Sequence, residues 1–275
     1  METEKSWNIY DDLKLKRIHQ TTINSLFGGC PYHFVMYQKH GPVPPGIALH
    51  VGSGVHKGAE HNYRQKIGTH QDLPAKEIEE VSVTAFADRI KEQGIGITEG
   101  ESAESVRSLG EKRVRALVKT YHDELAPHVI PDLVEYQFEV PVPQMGIQLV
   151  GTMDLRDNQK WVLDLKTGGK SRLQRDADTS DQLTMYAFVH ELMGMGVPAG
   201  LGLDILVCTE KTLKSYRQAR LTTTRTRAHY NQLLRKVDVV LQIIRAGVYP
   251  PNTQWWGCSP RFCGYFDRCE FPYRR

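Results

Sequence analysis

The chain changes character at Pro131, and that change decides which folds are open to it. Upstream, apolar residues recur at helical spacing. Downstream, Leu133–Val140, Ile147–Arg156 and Lys160–Thr167 are rich in β-branched and aromatic residues, with a turn signal at Asp157-Asn158. Helices must therefore pack against a sheet, which makes a mixed α/β domain with helical additions.

The helical part begins with Thr21 or Thr22 as a cap and Ile23, Leu26, Phe27 and Pro31–Tyr37 as apolar residues. Gly41–Gly46, with three prolines, reads as a loop. Helices are predicted over Ser53–Lys66, Pro74–Lys91 and Ala103–Glu124; in the last, Val106, Leu109, Val114, Leu117, Val118 and Tyr121 lie at helical spacing. After the strands come a helix over Thr179–Met193, capped near Ser180 or Asp181, and strands at Leu201–Thr209 and Lys214–Leu221. A long amphipathic helix, Arg225–Ala246, closes at Gly247. The tail, Tyr249–Arg275, has prolines, aromatics and cysteines but no periodicity.

With 275 residues, 40% hydrophobic and 24% charged, the chain can bury one sizeable core, or one core and a satellite. No apolar run is long enough to span a bilayer, and Met1–Tyr10 is polar, so export is not expected and a cytoplasmic location is. Three of the five cysteines fall in the last twenty residues, which in an unexported protein favours a metal or cluster site over disulfides. A net charge of +3 does not by itself announce nucleic-acid binding.

The chemistry gathers around Gly151-Thr-Met-Asp154 and Asp164-Leu-Lys166-Thr-Gly168. Alternation along a strand points Asp164 and Lys166 the same way. A hairpin at Asp157–Lys160 brings Asp154 beside Asp164 on the neighbouring strand. Asp164 interrupts the apolar run Trp161-Val-Leu-Asp-Leu, where a carboxylate is costly unless paired or metal-bound. Two carboxylates suit Mg²⁺ or Mn²⁺, and Lys166 can orient a water or neutralise charge developing on a phosphate. His56 and Glu60 share one face of a helix; Glu60 either orients the His56 ring or forms a salt bridge. Gly52 and Gly54 allow that helix to approach the sheet closely. Gln182 and Tyr186 repeat the four-residue spacing on the helix after the Asp-x-Lys strand.

In order, Gly52-x-x-x-His56-x-x-x-Glu60, Gly151-x-x-Asp154, Asp164-x-Lys166-Thr-Gly and Gln182-x-x-x-Tyr186 resemble the RecB-type nucleases of the PD-(D/E)XK superfamily. Ser25–Tyr37, with Cys30-Pro-Tyr, looks like that family's opening helix. The resemblance implies a restriction-endonuclease-like core, a mixed central sheet flanked by helices, with N-terminal helical additions and a cysteine-stapled C-terminal tail. It implies one nuclease domain over residues 1–275: a mainly helical part at 21–130, a core at 131–246, and a tail at 247–275 that closes on Cys30. His56, Asp154, Asp164 and the Leu165 carbonyl would bind Mg²⁺ or Mn²⁺. Lys166 would act with Asp154 and Asp164 in catalysis, and Gln182 and Tyr186 would support DNA binding. Products would carry 5′-phosphate and 3′-hydroxyl ends.

Within the family, the chain is most similar to single-domain members related to the CRISPR-adaptation nuclease and to phage recombination exonucleases. That implies single-stranded DNA or duplex ends as partners, along with helicase, recombination or CRISPR-adaptation proteins. No Gly-x-x-x-x-Gly-Lys-Ser/Thr segment occurs, so ATP-driven unwinding would need a partner. Some members hold a [4Fe–4S] cluster through one N-terminal and three C-terminal cysteines, which correspond here to Cys30, Cys258, Cys263 and Cys269. Four thiolates complete either a cubane or a zinc site. Trp255, Trp256 and Tyr265 are expected to pack around it, and Cys208 to be a buried core thiol. Lys211, Lys214, Tyr216, Arg217, Arg220, Arg225 and Arg227 form a basic set that could line a strand-tracking groove. The alternative is a non-catalytic DNA-binding subunit of a nuclease or recombination complex. Loss of Lys166 or either aspartate would have marked it; all three are present.

Overall fold

The computed structural model describes residues 16–98, 100–209, 212–260 and 262–271. In chain order its elements are β1 (Arg17–His19), α1 (Gln20–Ile23), α2 (Pro31–His40), α3 (Ile47–Thr69), α4 (Ala75–Gln93), α5 (Ala103–Thr120), β2 (Pro131–Val142), β3 (Ile147–Asp157), β4 (Trp161–Gly168), α6 (Gln174–Asp178), α7 (Asp181–Leu192), β5 (Gly200–Cys208), β6 (Ser215–Thr223) and α8 (Arg227–Ala246). They form two compact units. One comprises the chain up to Val43, Phe138–Gly151 and Thr226 onward; the other comprises Pro44–Gln137 and Thr152–Arg225.

The second unit carries the expected mixed sheet. The end of β3 runs antiparallel to β4, with Leu155 opposite Leu163 and Arg156 opposite Val162. β4 is parallel to β5, from Trp161 beside Gly200 to Gly168 beside Val207, and β5 is antiparallel to β6. Every residue of β5 is buried, as suits a strand covered on both faces. Helices α3, α5 and α7 pack on this sheet. Its core joins Val55, Tyr63, Phe86, Val114, Tyr121, Leu163, Leu165 and Leu206, with Cys208 fully buried as expected.

Glycines set how closely α3 can pack. A Cβ at Gly52 would lie 3.1 Å from Thr167 Oγ1 on β4. Gly54 instead faces α4, where a Cβ would lie 2.8 Å from the Ser82 carbonyl, and Gly58 meets Ser82 and Ile78 of the same helix. The two small residues therefore serve different neighbours, one the sheet and one a helix.

In the other unit, β1 pairs in parallel with Gln148–Val150 of β3. Leu26, Val240 and Ile244 form a small core with Phe34 and Tyr249. The opening helix is not continuous. α1 gives way to a π-helical turn, Asn24–Gly28, and α2 restarts with Pro31 in its first turn. Neither Thr21 nor Thr22 caps a helix; α1 starts after His19, with no side-chain cap. Helix α5 likewise ends in a π-helical turn, Tyr121–Leu125, and its Leu109 is 41% exposed, against the helical-face expectation. Among the described residues, no helix is long and apolar enough to cross a membrane.

Candidate active site

Strand β4 delivers Asp164 and Lys166 to one side, and Lys166 Nζ lies 2.7 Å from Asp164 Oδ2. Extending the β3–β4 register by one step sets Asp154 opposite Asp164, and the Leu165 N–H donates to Asp154 Oδ2 at 3.3 Å. Asp164 is fully buried, and apart from the Lys166 ion pair neither of its oxygens is hydrogen-bonded. Burial, reinforced by the neighbouring Asp154 carboxylate, pushes Asp164 up to about 7. Burial is also the main cause that lifts Asp154 to about 6.

Helix α3 brings His56 Nδ1 to 3.5 Å from Asp154 Oδ2. Burial holds this imidazole below its ordinary value, and the Leu165 backbone contact opposes that shift. A neutral imidazole is the form that ligates metals. Gly151 lies close to Phe138, whose ring a Cβ there would meet at 2.7 Å.

Glu60 does not bond the His56 ring. Its carboxylate accepts from Lys57 Nζ and Arg64 Nε, each at 2.8 Å, while the side chain borders the same cavity as His56 and Asp154. Gln182 and Tyr186 turn inward. Lys166 Nζ donates to Gln182 Oε1 at 2.8 Å, Gln182 Nε2 to the Tyr186 hydroxyl at 2.7 Å, and that hydroxyl to the Thr152 carbonyl at 2.6 Å.

One residue at this centre escaped the sequence reading. Glu135, on β2, faces the cavity, and its carboxylate comes within 4.8 Å of the ligand atoms of His56 and Asp154. Burial raises the pKa of its carboxyl above the ordinary value, and the nearby Glu60 carboxylate adds to the shift. The only sequence signal was a carboxylate inside a strand, which Glu139 on the same strand shares.

Several basic residues meant for a strand-tracking groove are committed elsewhere. Arg217 donates to the Glu124 carbonyl, Arg220 makes two 2.9 Å bonds to the buried Asp204, and Arg225 is buried against the Ala177 and Ser180 carbonyls. Lys211 lies outside the described residues. The four cysteines Cys30, Cys258, Cys263 and Cys269 are unbridged and line one cavity, with about 450 Å³ of empty space that is partly open to solvent. Trp255 and Tyr265 line it too. Trp256 does not: it is 73% exposed.

The family described as the PD-(D/E)XK nuclease superfamily matches residues 22–270. The chain belongs to the PD-(D/E)XK nuclease superfamily. It is thereby a hydrolytic nuclease by family, and enzymes of the superfamily generally use divalent metals. The crystal structure of an inferred exonuclease from Eubacterium rectale is similar in fold, with a TM-score of 0.51 at 14% identity, covering 92% of this chain and 91% of that one. No curated protein matches this chain.

The residues at this PD-(D/E)XK centre fit a divalent cation. The fully buried Asp164 carboxylate, the half-buried Asp154 carboxylate and the His56 imidazole supply hard oxygens and one nitrogen.

Proposed function

We propose that the protein is a RecB-type DNA nuclease, an exonuclease in phage or prokaryotic DNA processing, recombination or CRISPR adaptation. The observation that carries this reading is the convergence of His56, Asp154, Asp164 and Lys166, with Asp164 fully buried and ion-paired with Lys166. His56, Asp154, Asp164 and the Leu165 carbonyl would hold the cation, Mg²⁺ or Mn²⁺. Bound there, the cation would polarise a phosphoryl oxygen and lower the pKa of a water.

Lys166 neutralises charge developing on the phosphate. Its ammonium has three donors. One faces Asp164 and one Gln182, which leaves a third for substrate. Gln182 and Tyr186 therefore serve the reaction chiefly by positioning Lys166, and any contact they make with DNA is additional to that. The sense of the chain is fixed: the amide oxygen accepts from the ammonium, so the amide nitrogen faces the phenol.

For the cysteines we propose a [4Fe–4S] cluster held by Cys30, Cys258, Cys263 and Cys269. A tetrahedral zinc site with Zn–S bonds of about 2.3 Å sets its sulfurs roughly 3.8 Å apart. Four thiolates lining one cavity could serve either site, and the resemblance to cluster-bearing nucleases is what favours the cubane. The Asn252 N–H donates to Cys30 Sγ at 3.3 Å, the kind of bond that stabilises a thiolate.

The test is cleavage of end-labelled single-stranded, duplex and closed circular DNA, and of RNA, with Mg²⁺ or Mn²⁺. Metal-dependent loss of linear DNA from its ends, abolished in Asp154→Ala and Asp164→Ala, supports the reading. DNA binding without cleavage in either metal would replace it with the non-catalytic subunit.

A further inference from the structure

Glu135 sits in β2 with φ +47°, a left-handed conformation inside a strand. L-residues rarely adopt that region, and where they do the surrounding structure must hold them there, most often at functional sites. Glu139, four positions along the same strand, is ion-paired with Arg17 at 2.9 Å. The Glu135 carboxylate makes no hydrogen bond or ion pair among the described residues. It is instead turned to within 4.8 Å of the ligand atoms of His56 and Asp154. Next to Asp154 is Asp164, fully buried and ion-paired with Lys166. Three carboxylates, Glu135, Asp154 and Asp164, thus gather near the Lys166 ammonium, while the neighbouring Lys57 and Arg64 are paired with Glu60.

Without a cation, this arrangement concentrates negative charge in a poorly solvated place. Strain and repulsion are both explained if the site is built for a divalent ion. We infer that Glu135 is a ligand of the divalent cation, completing with His56 and Asp154 a set of one nitrogen and two carboxylate oxygens. This inference rests on the metal-nuclease reading above. It assigns the strained backbone a purpose: the left-handed residue aims the carboxylate at His56 and Asp154.

A ligand and a structural carboxylate predict opposite signs. The experiment is Mn²⁺ titration of the full chain by calorimetry, together with melting in chelator and in saturating Mn²⁺, for wild type, Glu135→Gln, Glu135→Gly, Asp154→Asn and Glu139→Gln. Glu135→Gln should weaken Mn²⁺ binding about 10-fold or more, since even residues that only support a ligand are worth about 10- to 100-fold. It should leave the metal-free melting temperature unchanged or raise it, because a repelling charge is gone. The extra stabilisation by Mn²⁺ should shrink. Glu135→Gly, which relaxes the backbone, should behave alike, and Glu139→Gln should match wild type. Wild-type Mn²⁺ affinity in Glu135→Gln, or a lower metal-free melting temperature in both Glu135 variants, overturns the inference. If wild type itself binds no Mn²⁺, or Asp154→Asn binds it as well as wild type does, the metal-nuclease reading fails first. If Asp154→Asn loses binding and Glu135→Gln does not, only the role of Glu135 fails.

Discussion

Lys166 is the charge that makes a buried Asp164 tolerable, and its removal separates chemistry from binding. Lys166→Ala should lower the cleavage rate by about two orders of magnitude, the scale of one lost charge-stabilising donor. Mn²⁺ and DNA affinity should change far less; a parallel collapse of DNA affinity would make Lys166 a binding residue. Gln182→Ala and Tyr186→Phe act through it. Each should lower kcat with little change in KM, and each should lose most of its effect in a Lys166→Ala background. A rise in KM alone would return both residues to DNA contact.

The carboxylates also set a pH dependence. In the metal-free fold Asp164 holds its proton up to about 7, whereas in the unfolded chain it releases it near the ordinary value of 3.8. Between those values the folded state binds more protons, so this residue's contribution to stability falls as pH rises. Burial lowers several histidines, which act in the opposite sense, so the comparison must isolate one carboxylate. Melting temperatures in chelator should show Asp164→Asn gaining on wild type from pH 5 to pH 8. A constant difference, or one that shrinks, would contradict the assignment.

At the scale of elements, α3 offers two glycines of opposite value. At Gly58 a Cβ would stand 1.9 Å from Ser82 Oγ and 3.0 Å from the Ile78 carbonyl of α4, and the backbone atom cannot swing away. At Gly68 a Cβ meets nothing within 4 Å. Gly58→Ala should therefore cost about 1–3 kcal/mol through overpacking. Gly68→Ala should gain about 0.5–1 kcal/mol from helix propensity. Urea midpoints of the two variants moving in the same direction would show that α3 does not pack on α4 in this way. The strands were legible because alternation and the Asp157 turn are local: that turn holds the N–H groups of Gln159 and Trp161 on Asp157 Oδ1. The π-helical turns were not legible, because they preserve helical apolar spacing while changing the hydrogen-bond pattern.

At the scale of the whole molecule, the cysteine cavity joins Cys30 to residues more than two hundred positions later, so any group held there closes the longest loop available to those thiols. Replacing Cys30, Cys258, Cys263 or Cys269 with Ala should bleach brown colour and lower the melting temperature. Cys208→Ala should keep the colour and cost only core packing. Iron and sulfide analysis of anaerobic protein decides the metal. Zinc in place of iron would refute the cluster, and neither metal with unchanged stability would remove the clamp as well.

The sequence by itself determined the pairing at the centre of the site. Period-two alternation places Asp164 with Lys166, a turn signal sets Asp154 opposite, and an aspartate in an apolar strand demands a partner. These relations are fixed within a few bonds of the backbone. What only the tertiary structure decided lies between elements: Glu135 turned by a left-handed φ onto His56 and Asp154, Gln182 and Tyr186 enlisted to hold Lys166, and basic residues consumed by the Glu124, Ala177 and Ser180 carbonyls and by Asp204. Spacing along a chain carries no information about which distant backbone will supply an acceptor, because that depends on how close two packed elements come.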